Sequence, residues 1–493
     1  MSMMPVLNPL RLWRLYERGV TACAAAMASV RTHRAVWRDA LAVLVCALGL
    51  RLAFAALTAN SYDPDEFVVL ALSRDFAHGA VPYRDFSFFH PPGVLTLFRA
   101  LQPLIGWWWP SARMVVVLID SITALLVWRI GTLLYGRRGA LAAGLLYAAS
   151  PIALLAAVRV GQDSLITALG LAGLLLLLSV RSSAGAALAG VCLGLAIWFK
   201  YPALLFLPVY LLAAPRRALV VIAAAVMTDI VVFAPFAHQL YPLAVQSVGW
   251  QLLHHPHTDL LHRVPAVLSF WLLLNPLAAV AAVRYRAPRW VLAGFGMGGL
   301  FTFTSEVYYH YFVPVVPFAA LLAAPLLIEI IRWAPRLVVL AATALLALWA
   351  AALNAEPTQA GLAMLRLSSI SDAVHVLDRA TTQNQRVLTD QFEYAYLARR
   401  ASVTDYFWNM RGTVGARSLE RRLQATAAVV SDGPSSYPPG FIRYLERQPY
   451  TRIRIGTATI WLLAHRPGPP NHPDVSVSLS VNGLRTPRLL STQ

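Results

Sequence analysis

The segment Asp63-Pro64-Asp65-Glu66 is the densest acidic group in a chain with 23 acidic residues among 493. A fixed carboxylate can take a proton from an attacking hydroxyl, so neighbouring acids are candidates for general-base work. The same residues can also cap a helix, because Asp near an N-terminus accepts from free backbone N–H groups. Further along stand Arg84, His90-Pro91-Pro92-Gly93, Arg159, Asp163, Lys200 and Tyr308-Tyr309-His310-Tyr311. Each has a plainer reading. Asp163 can cap a helix. Lys200 can extend toward lipid headgroups. His90 can be loop structure before two prolines, and the tyrosines can belong to an interfacial aromatic belt. His254, His255, His257 and His262 crowd one segment. Imidazole suits zinc, but neither a cysteine partner nor an i, i+4 histidine pair accompanies them, so no metal site is assigned there.

These residues are embedded in an unusually apolar chain. Hydrophobic residues make up 58% and charged residues 13%, against about 25% charged in soluble domains. Mean hydropathy is +0.59. A soluble protein of this length could not hide so much apolar surface, which excludes a cytosolic enzyme. Cys23, Cys46 and Cys192 are scattered and form no disulfide framework.

Spanning helices need about 20 apolar residues, fewer when they sit obliquely in a bundle. About eleven are expected: 40–59, 113–135, 140–158, 164–180, 184–199, 201–214, 218–236, 264–283, 290–305, 310–331 and 337–354. Six arginines between Arg11 and Arg38 precede the first, and a cytoplasmic N-terminus follows from them. The inner loops then carry Arg137/Arg138, Arg181, Arg216/Arg217, Arg284/Arg286/Arg289 and Arg332/Arg336, with no acid among them. The net charge of +18 is therefore a topology signal rather than a nucleic-acid surface. The Ala-rich run 19–30 is not read as a cleaved signal, because cleavage there would put every basic loop outside.

The acids gather on the opposite side, in the outer loop 60–110, at Asp163 and at Glu306. In that loop a short helix from Glu66 to His78 should stop at Gly79. A second apolar stretch, 94–106, is too short to span. Two such helices are expected to lie at the interface and roof an outer cavity. Inside the membrane, Asp120 and Asp229 are costly, and Arg51 is a partner for one of them.

The domain plan is a cytoplasmic segment 1–39, a transmembrane domain 40–355, an extracytoplasmic α/β domain 356–466 and a disordered tail 467–493. The α/β domain rests on an amphipathic helix at 359–383, β-like runs at 386–389, 427–430, 450–455 and 457–464, and helical runs at 416–425 and 440–447. The tail is rich in Pro, Ser, Asn and Thr. The fold class is thus mainly α, a polytopic helical bundle with outer interfacial helices and a small C-terminal α/β domain.

Five motifs in this order resemble the GT-C superfamily of integral membrane glycosyltransferases, in the protein O-mannosyltransferase and lipid A aminoarabinose transferase group. Asp65-Glu66 match its acidic pair beyond the first helix, and His90-Pro91-Pro92-Gly93 its His-Pro-Pro element. Arg159-Val160-Gly161-Gln162-Asp163-Ser164 is similar to its second outer-loop motif, Trp198-Phe199-Lys200-Tyr201-Pro202 to its next outer turn, and Tyr308 to Pro314 to the segment opening its penultimate helices. The departure is Asp63, two residues before the pair, which leaves open whether Asp63 or Asp65 is the base. The resemblance implies a polyprenyl-phosphate sugar donor, a lipid, glycan or protein acceptor, and no obligatory cofactor. It implies a multi-pass protein of the bacterial inner membrane, with transfer on the extracytoplasmic side. Asp65 is then the base, with Glu66 or Asp63 orienting the acceptor. Lys200, Arg84, Arg159, His90 and His310 surround the departing phosphate, and Asp163 and Tyr311 join the substrate site.

Two other classes compete. A metal-dependent oligosaccharide ligase or oligosaccharyltransferase would use Asp63, Asp65 and Asp163 around a divalent ion. A lipid or sugar transporter would use Asp120, Asp229 and Arg51 as a path, but the sequence shows no paired broken helices or internal repeat.

Overall fold

The computed structural model describes residues 35–86, 88, 90–241, 264, 268, 276–303, 308–336, 365–402, 423, 426–432 and 437–463. The expected span 337–354, the tail, Glu306 and the histidines 254–262 lie outside them. The chain divides into two units, Met1–Leu365 and Arg366–Gln493.

The first unit is a bundle of apolar helices. α1 (Ala35–Leu57) is followed by a two-residue strand β1 (Ser61–Tyr62), then α2 (Pro64–Ala77), α3 (Gly93–Ile105) and α4 (Trp109–Ala148). α5 (Pro151–Ala157), α6 (Asp163–Ser179), α7 (Ser183–Phe199), α8 (Phe206–Ala213) and α9 (Ala218–Phe233) continue the bundle. After them come α10 (Pro276–Arg284), α11 (Arg289–Gly296) and α12 (Val316–Trp333). Among the described residues four helical stretches are long and apolar enough to cross a membrane: Ala35–Leu57, Trp109–Ala148, Pro215–Gln239 and Val316–Trp333.

Several expected spans are broken. α4 bends at Gly136, whose φ of 68° only glycine adopts freely. The stretch 140–158 is interrupted at Ser150-Pro151, because Pro151 cannot continue the helical hydrogen bonds and instead opens α5. The stretch 201–214 begins as a 3-10 turn, Tyr201–Leu205, carrying Pro202 in its first turn.

Packing depends on small residues. Gly190 and Gly194 form a GxxxG step on α7, where an added Cβ would lie 2.4 Å from the Val221 carbonyl oxygen and 2.7 Å from that of Ala225. With lipid as apolar as the side chains, such backbone approach is what makes helix pairs adhere. Inside the bundle Arg51 meets Asp120. Its Nε donates to Asp120 Oδ2 at 2.6 Å and its Nη1 to the Ala47 and Ala148 carbonyls. Tyr147 Oη donates to Asp120 Oδ1 at 2.7 Å. Arg51 therefore partners Asp120, and both side chains are wholly buried.

Two of the basic loops bind neighbouring helix ends. Arg137 forks onto Asp39, and Arg217 donates to the last carbonyls of α6, at Leu177 and Val180. Those carbonyls have no helical partner, so a cation is favoured there.

The second unit holds a five-stranded mixed sheet. Its strands are β3 (Arg386–Thr389), β4 (Ala401–Ser402), β5 (Ala428–Asp432), β6 (Thr451–Ile455) and β7 (Ala458–Leu462), after a short β2 (Leu365–Arg366) at the junction. The order is β4-β3-β5-β7-β6, with β3 parallel to β4 and β5, and β7 antiparallel to β5 and β6. Helices α13 (Ser371–Ala380), α14 (Phe392–Leu397) and α15 (Pro439–Arg447) accompany it. Leu388, Val429, Phe441, Leu445 and Trp461 form its core. Of the helix expected over 359–383, the described part, from residue 365 on, is helical only over Ser371–Ala380. Leu367–Ser369 form a 3-10 turn with Ser369 Oγ donating to the Arg366 carbonyl, so regular helix starts at Ser371.

Candidate active site

The acidic segment folds as a capping box. Asp63 is the N-cap of α2, with Oδ1 accepting from Asp65 N at 3.0 Å, while Glu66 Oε1 accepts from Asp63 N at 2.9 Å. Pro64 takes the first helical position, where a missing N–H costs nothing. α2 ends at Gly79, whose φ is 98°. The capping reading of these acids holds, and the cap fixes where the Asp63 and Glu66 carboxyls point.

The three capping-segment carboxyls have different surroundings. Glu66 is 1% exposed. Its oxygens take four hydrogen bonds: Arg113 Nε at 2.7 Å, Arg113 Nη2 at 2.6 Å, Asp63 N at 2.9 Å and Val160 N at 3.1 Å. Expected to orient an acceptor, it is fully occupied in joining α2 to α4 and to the 158–162 turn. Asp63 Oδ2 accepts from Arg159 Nη1 at 2.6 Å. The side chain of Asp65 has no hydrogen-bond or ion-pair partner among the described residues and is accessible to water.

Accessibility and charge must be separated for Asp65. Its carboxyl is exposed at the surface, yet the protein packed around it weakens its hydration. That desolvation, reinforced by the Asp63 charge and opposed by Lys200 and Arg159, lifts its pKa to about 7. Accessibility decides whether a substrate reaches it. The surroundings decide how readily it holds a proton.

The other expected residues converge from α6, the turn after α7 and the segment before α12. Lys200 Nζ lies 2.9 and 3.1 Å from the two oxygens of Asp163, and both residues are buried. The ammonium also sits 5.5 Å from the centre of the Tyr311 ring. Arg159 lies 4.8 Å from the centre of the Tyr309 ring. His310 stacks on Tyr308 at 5.4 Å and meets Tyr311 edge-on at 4.8 Å.

Burial first, then the Lys200 charge, pushes His90 down to about 3, with Asp163 opposing. Burial and Lys200 also hold His310 well below the usual imidazole range. Burial and the Lys200 ammonium thus disfavour a positive charge on either ring. Asp63, Asp65, Asp163, Arg159, Lys200, His90, His310 and Tyr311 thus form one electrostatic neighbourhood. Arg84 stands apart. It forks onto Asp85 at 2.9 and 2.7 Å in an exposed pair.

Sequence reasoning missed two residues. Arg113 is a hub: besides Glu66 it donates to the Thr58 and Ser61 carbonyls at 3.2 and 2.8 Å, and it lies 3.9 Å from the centre of the Trp109 ring. An arginine one turn into an apolar helix was the available signal. Tyr309 was quoted within a motif, but its place beneath Arg159 is a tertiary fact. Asp63 and Asp163 each face a cation, and among the described residues no group of three or more His, Cys, Asp or Glu is arranged to hold a metal ion.

Comparison with known proteins gives a consistent picture. Residues 89–241 match the family described as dolichyl-phosphate-mannose-protein mannosyltransferase. The fold is similar to that of ArnT from Cupriavidus metallidurans bound to undecaprenyl phosphate, at 16% identity and a TM-score of 0.61, covering 87% of this chain and 98% of that one. The apo state of the same protein gives 17% and 0.60, covering 89% and 98%. The oligosaccharyltransferase AglB from Archaeoglobus fulgidus, in complex with an inhibitory peptide and a dolichol-phosphate, matches at 12% identity and a TM-score of 0.51, covering 80% of this chain and 69% of that one. No curated protein matches. The resemblance to GT-C glycosyltransferases therefore stands on the family match and on the fold.

Proposed function

We propose that the protein transfers a sugar from a polyprenyl-phosphate donor to an acceptor hydroxyl, with Asp65 as general base. One observation carries this reading: Asp65 is the acid of the cluster left without a partner, and it is accessible. A base with a pKa near the working pH combines an available lone pair with real proton affinity. Asp63 keeps the neighbouring Arg159 in place and Glu66 anchors the helix end, so neither is free to do the same work.

The acceptor oxygen attacks the anomeric carbon as Asp65 takes its proton, and the lipid phosphate departs with the bonding electrons. Lys200 and Arg159 are the permanent cations nearest that departure. Neutral His90 and His310 offer N–H donors to phosphate oxygens. An arriving anion would also raise their proton affinity, because it opposes the charges that now hold them neutral. The basic loops orient this end of the bundle toward the extracytoplasmic side of the inner membrane. The same orientation sends the chain after residue 355 to that side. Donor type supports the orientation, since nucleotide sugars are made in the cytoplasm and an outward site needs a lipid-borne sugar.

The fold shared with archaeal AglB supports a second reading, an oligosaccharyltransferase, which in a metal-dependent form needs an acidic ion site. It requires Asp63 and Asp163 to leave Arg159 and Lys200 for an ion. Sugar transfer by the purified protein, with and without a chelator, decides between them. Mass spectrometry of the copurifying lipid tests the donor. A polyprenyl phosphate bearing one sugar supports the proposal, whereas a diphosphate-linked oligosaccharide overturns it.

A further inference from the structure

The loop between α2 and α3 contains a bulky residue in a conformation that bulky residues avoid. Tyr83 has φ of 66°, the left-handed region, which is an outlier for a side chain of this size. Strain of this kind persists only where surrounding structure over-determines it. The restraints here are specific. Tyr83 N donates to the Phe86 carbonyl at 2.8 Å, and Asp85 N to that of Val81 at 2.9 Å. The Asp85 carboxylate accepts from Val81 N at 2.7 Å. Pro82 and Phe86 form a β-bridge that closes the turn.

The turn aims the Tyr83 ring inward. The residue is 5% exposed, and its phenol donates to the His90 carbonyl at 2.6 Å. It also lies close enough to Tyr201 for the two phenols to interact, and Tyr201 directly follows Lys200. The next anchor is Gly93, where a Cβ would come within 2.5 Å of the Trp198 carbonyl oxygen. The loop bearing His90 is therefore held at both ends against the turn bearing Lys200. A glycine at position 83 would relieve the backbone but could not supply the phenol.

We infer that Tyr83 is a positioning residue: its phenol, held by the strained 81–86 turn, fixes the His90 backbone so that the imidazole faces Lys200, Asp163 and His310. This rests on the proposed function only where His90 is said to meet the donor phosphate. The tether itself is independent of any ligand. Y83F keeps the ring and removes the hydrogen bond, so it isolates the tether.

Two readouts separate the two claims. Modification of His90 by diethylpyrocarbonate, followed residue by residue by mass spectrometry on the purified full chain, reads the tether alone. The rate is expected to rise about fivefold in Y83F with an unchanged melting temperature. An unchanged rate overturns the inference. Binding of undecaprenyl phosphate reads the consequence. Y83F and H90A are each expected to weaken it about fivefold, and the double variant should be no weaker than H90A. Losses that multiply in the double variant overturn action through His90. A faster modification rate combined with normal binding in H90A retains the tether and refutes the placement of His90 at the phosphate.

Discussion

Two sets of buried charges sit in the same bundle and behave differently. Between α1 and α4, Arg51, Asp120 and Tyr147 form a closed set in which both oxygens of the acid are taken. At the end of α2, the acids and bases also pair off, Asp63 with Arg159, Asp163 with Lys200 and Glu66 with Arg113, but one acid is left over. The closed set is a structural joint, whose charges are tolerated because each answers the other. The open set keeps Asp65 solvent-accessible and hesitant about its proton. Burial and charge alone do not mark chemistry. Under the proposed function, what separates Asp65 is that it stands unpaired beside two cation-held acids.

The sharpest way to break this contrast is D65N. Sugar transfer is expected to fall by about 10²–10⁴-fold with the melting temperature unchanged. Transfer at the wild-type rate would remove Asp65 as base.

D120N should do the reverse. It strands Arg51 in the bundle, at a cost of about 3–5 kcal/mol in stability, while the folded fraction keeps the wild-type pH profile. If D120N were normally stable but inactive, the closed set would be doing chemistry too.

G93A probes the contact that holds the two outer loops together. Its Cβ would sit 2.5 Å from the Trp198 carbonyl oxygen, so about 1–3 kcal/mol of strain should appear as lower thermal stability and weaker donor binding. Wild-type behaviour in both would show that the loops need no fixed spacing.

The smallest expected effect concerns pH. Activity should rise through an acid limb near pH 7 as Asp65 loses its proton. D63N removes a negative neighbour and still caps α2, so the limb should move down, by up to about one unit. R159Q removes a positive neighbour, so the limb should move up. A limb that moves in neither variant belongs to another group.

Much of this was legible in the sequence, for reasons visible in particular residues. Asp63-Pro64-Asp65-Glu66 reads as a helix cap because Asp near an N-terminus accepts from free backbone N–H groups, and 386–389 reads as a short β-like run. Arg51, in the first helix, reads as a partner for one of Asp120 and Asp229, and it meets Asp120. Three features were not legible. That Glu66 is enclosed depends on Arg113, 47 residues away, and on a backbone N–H from Val160. The lowered proton affinity of His90 and His310 depends on their burial first and then on Lys200 arriving from another helix. That Asp63, not Asp65, is the acid facing Arg159 depends on where a residue 96 positions away goes. Sequence carries local spacing well, but it does not show which acid is spent on which base.

The glycine step on α7 has a consequence for any long isoprenoid. Because Gly190 and Gly194 bring the α7 backbone against the Val221 and Ala225 carbonyls, that seam is closed to a hydrocarbon chain. If the proposed donor is right, a carrier tail leaving the Asp65 end of the bundle must find its groove on another face. Bulky residues at either glycine would wedge the two helices apart without widening the tail's own route.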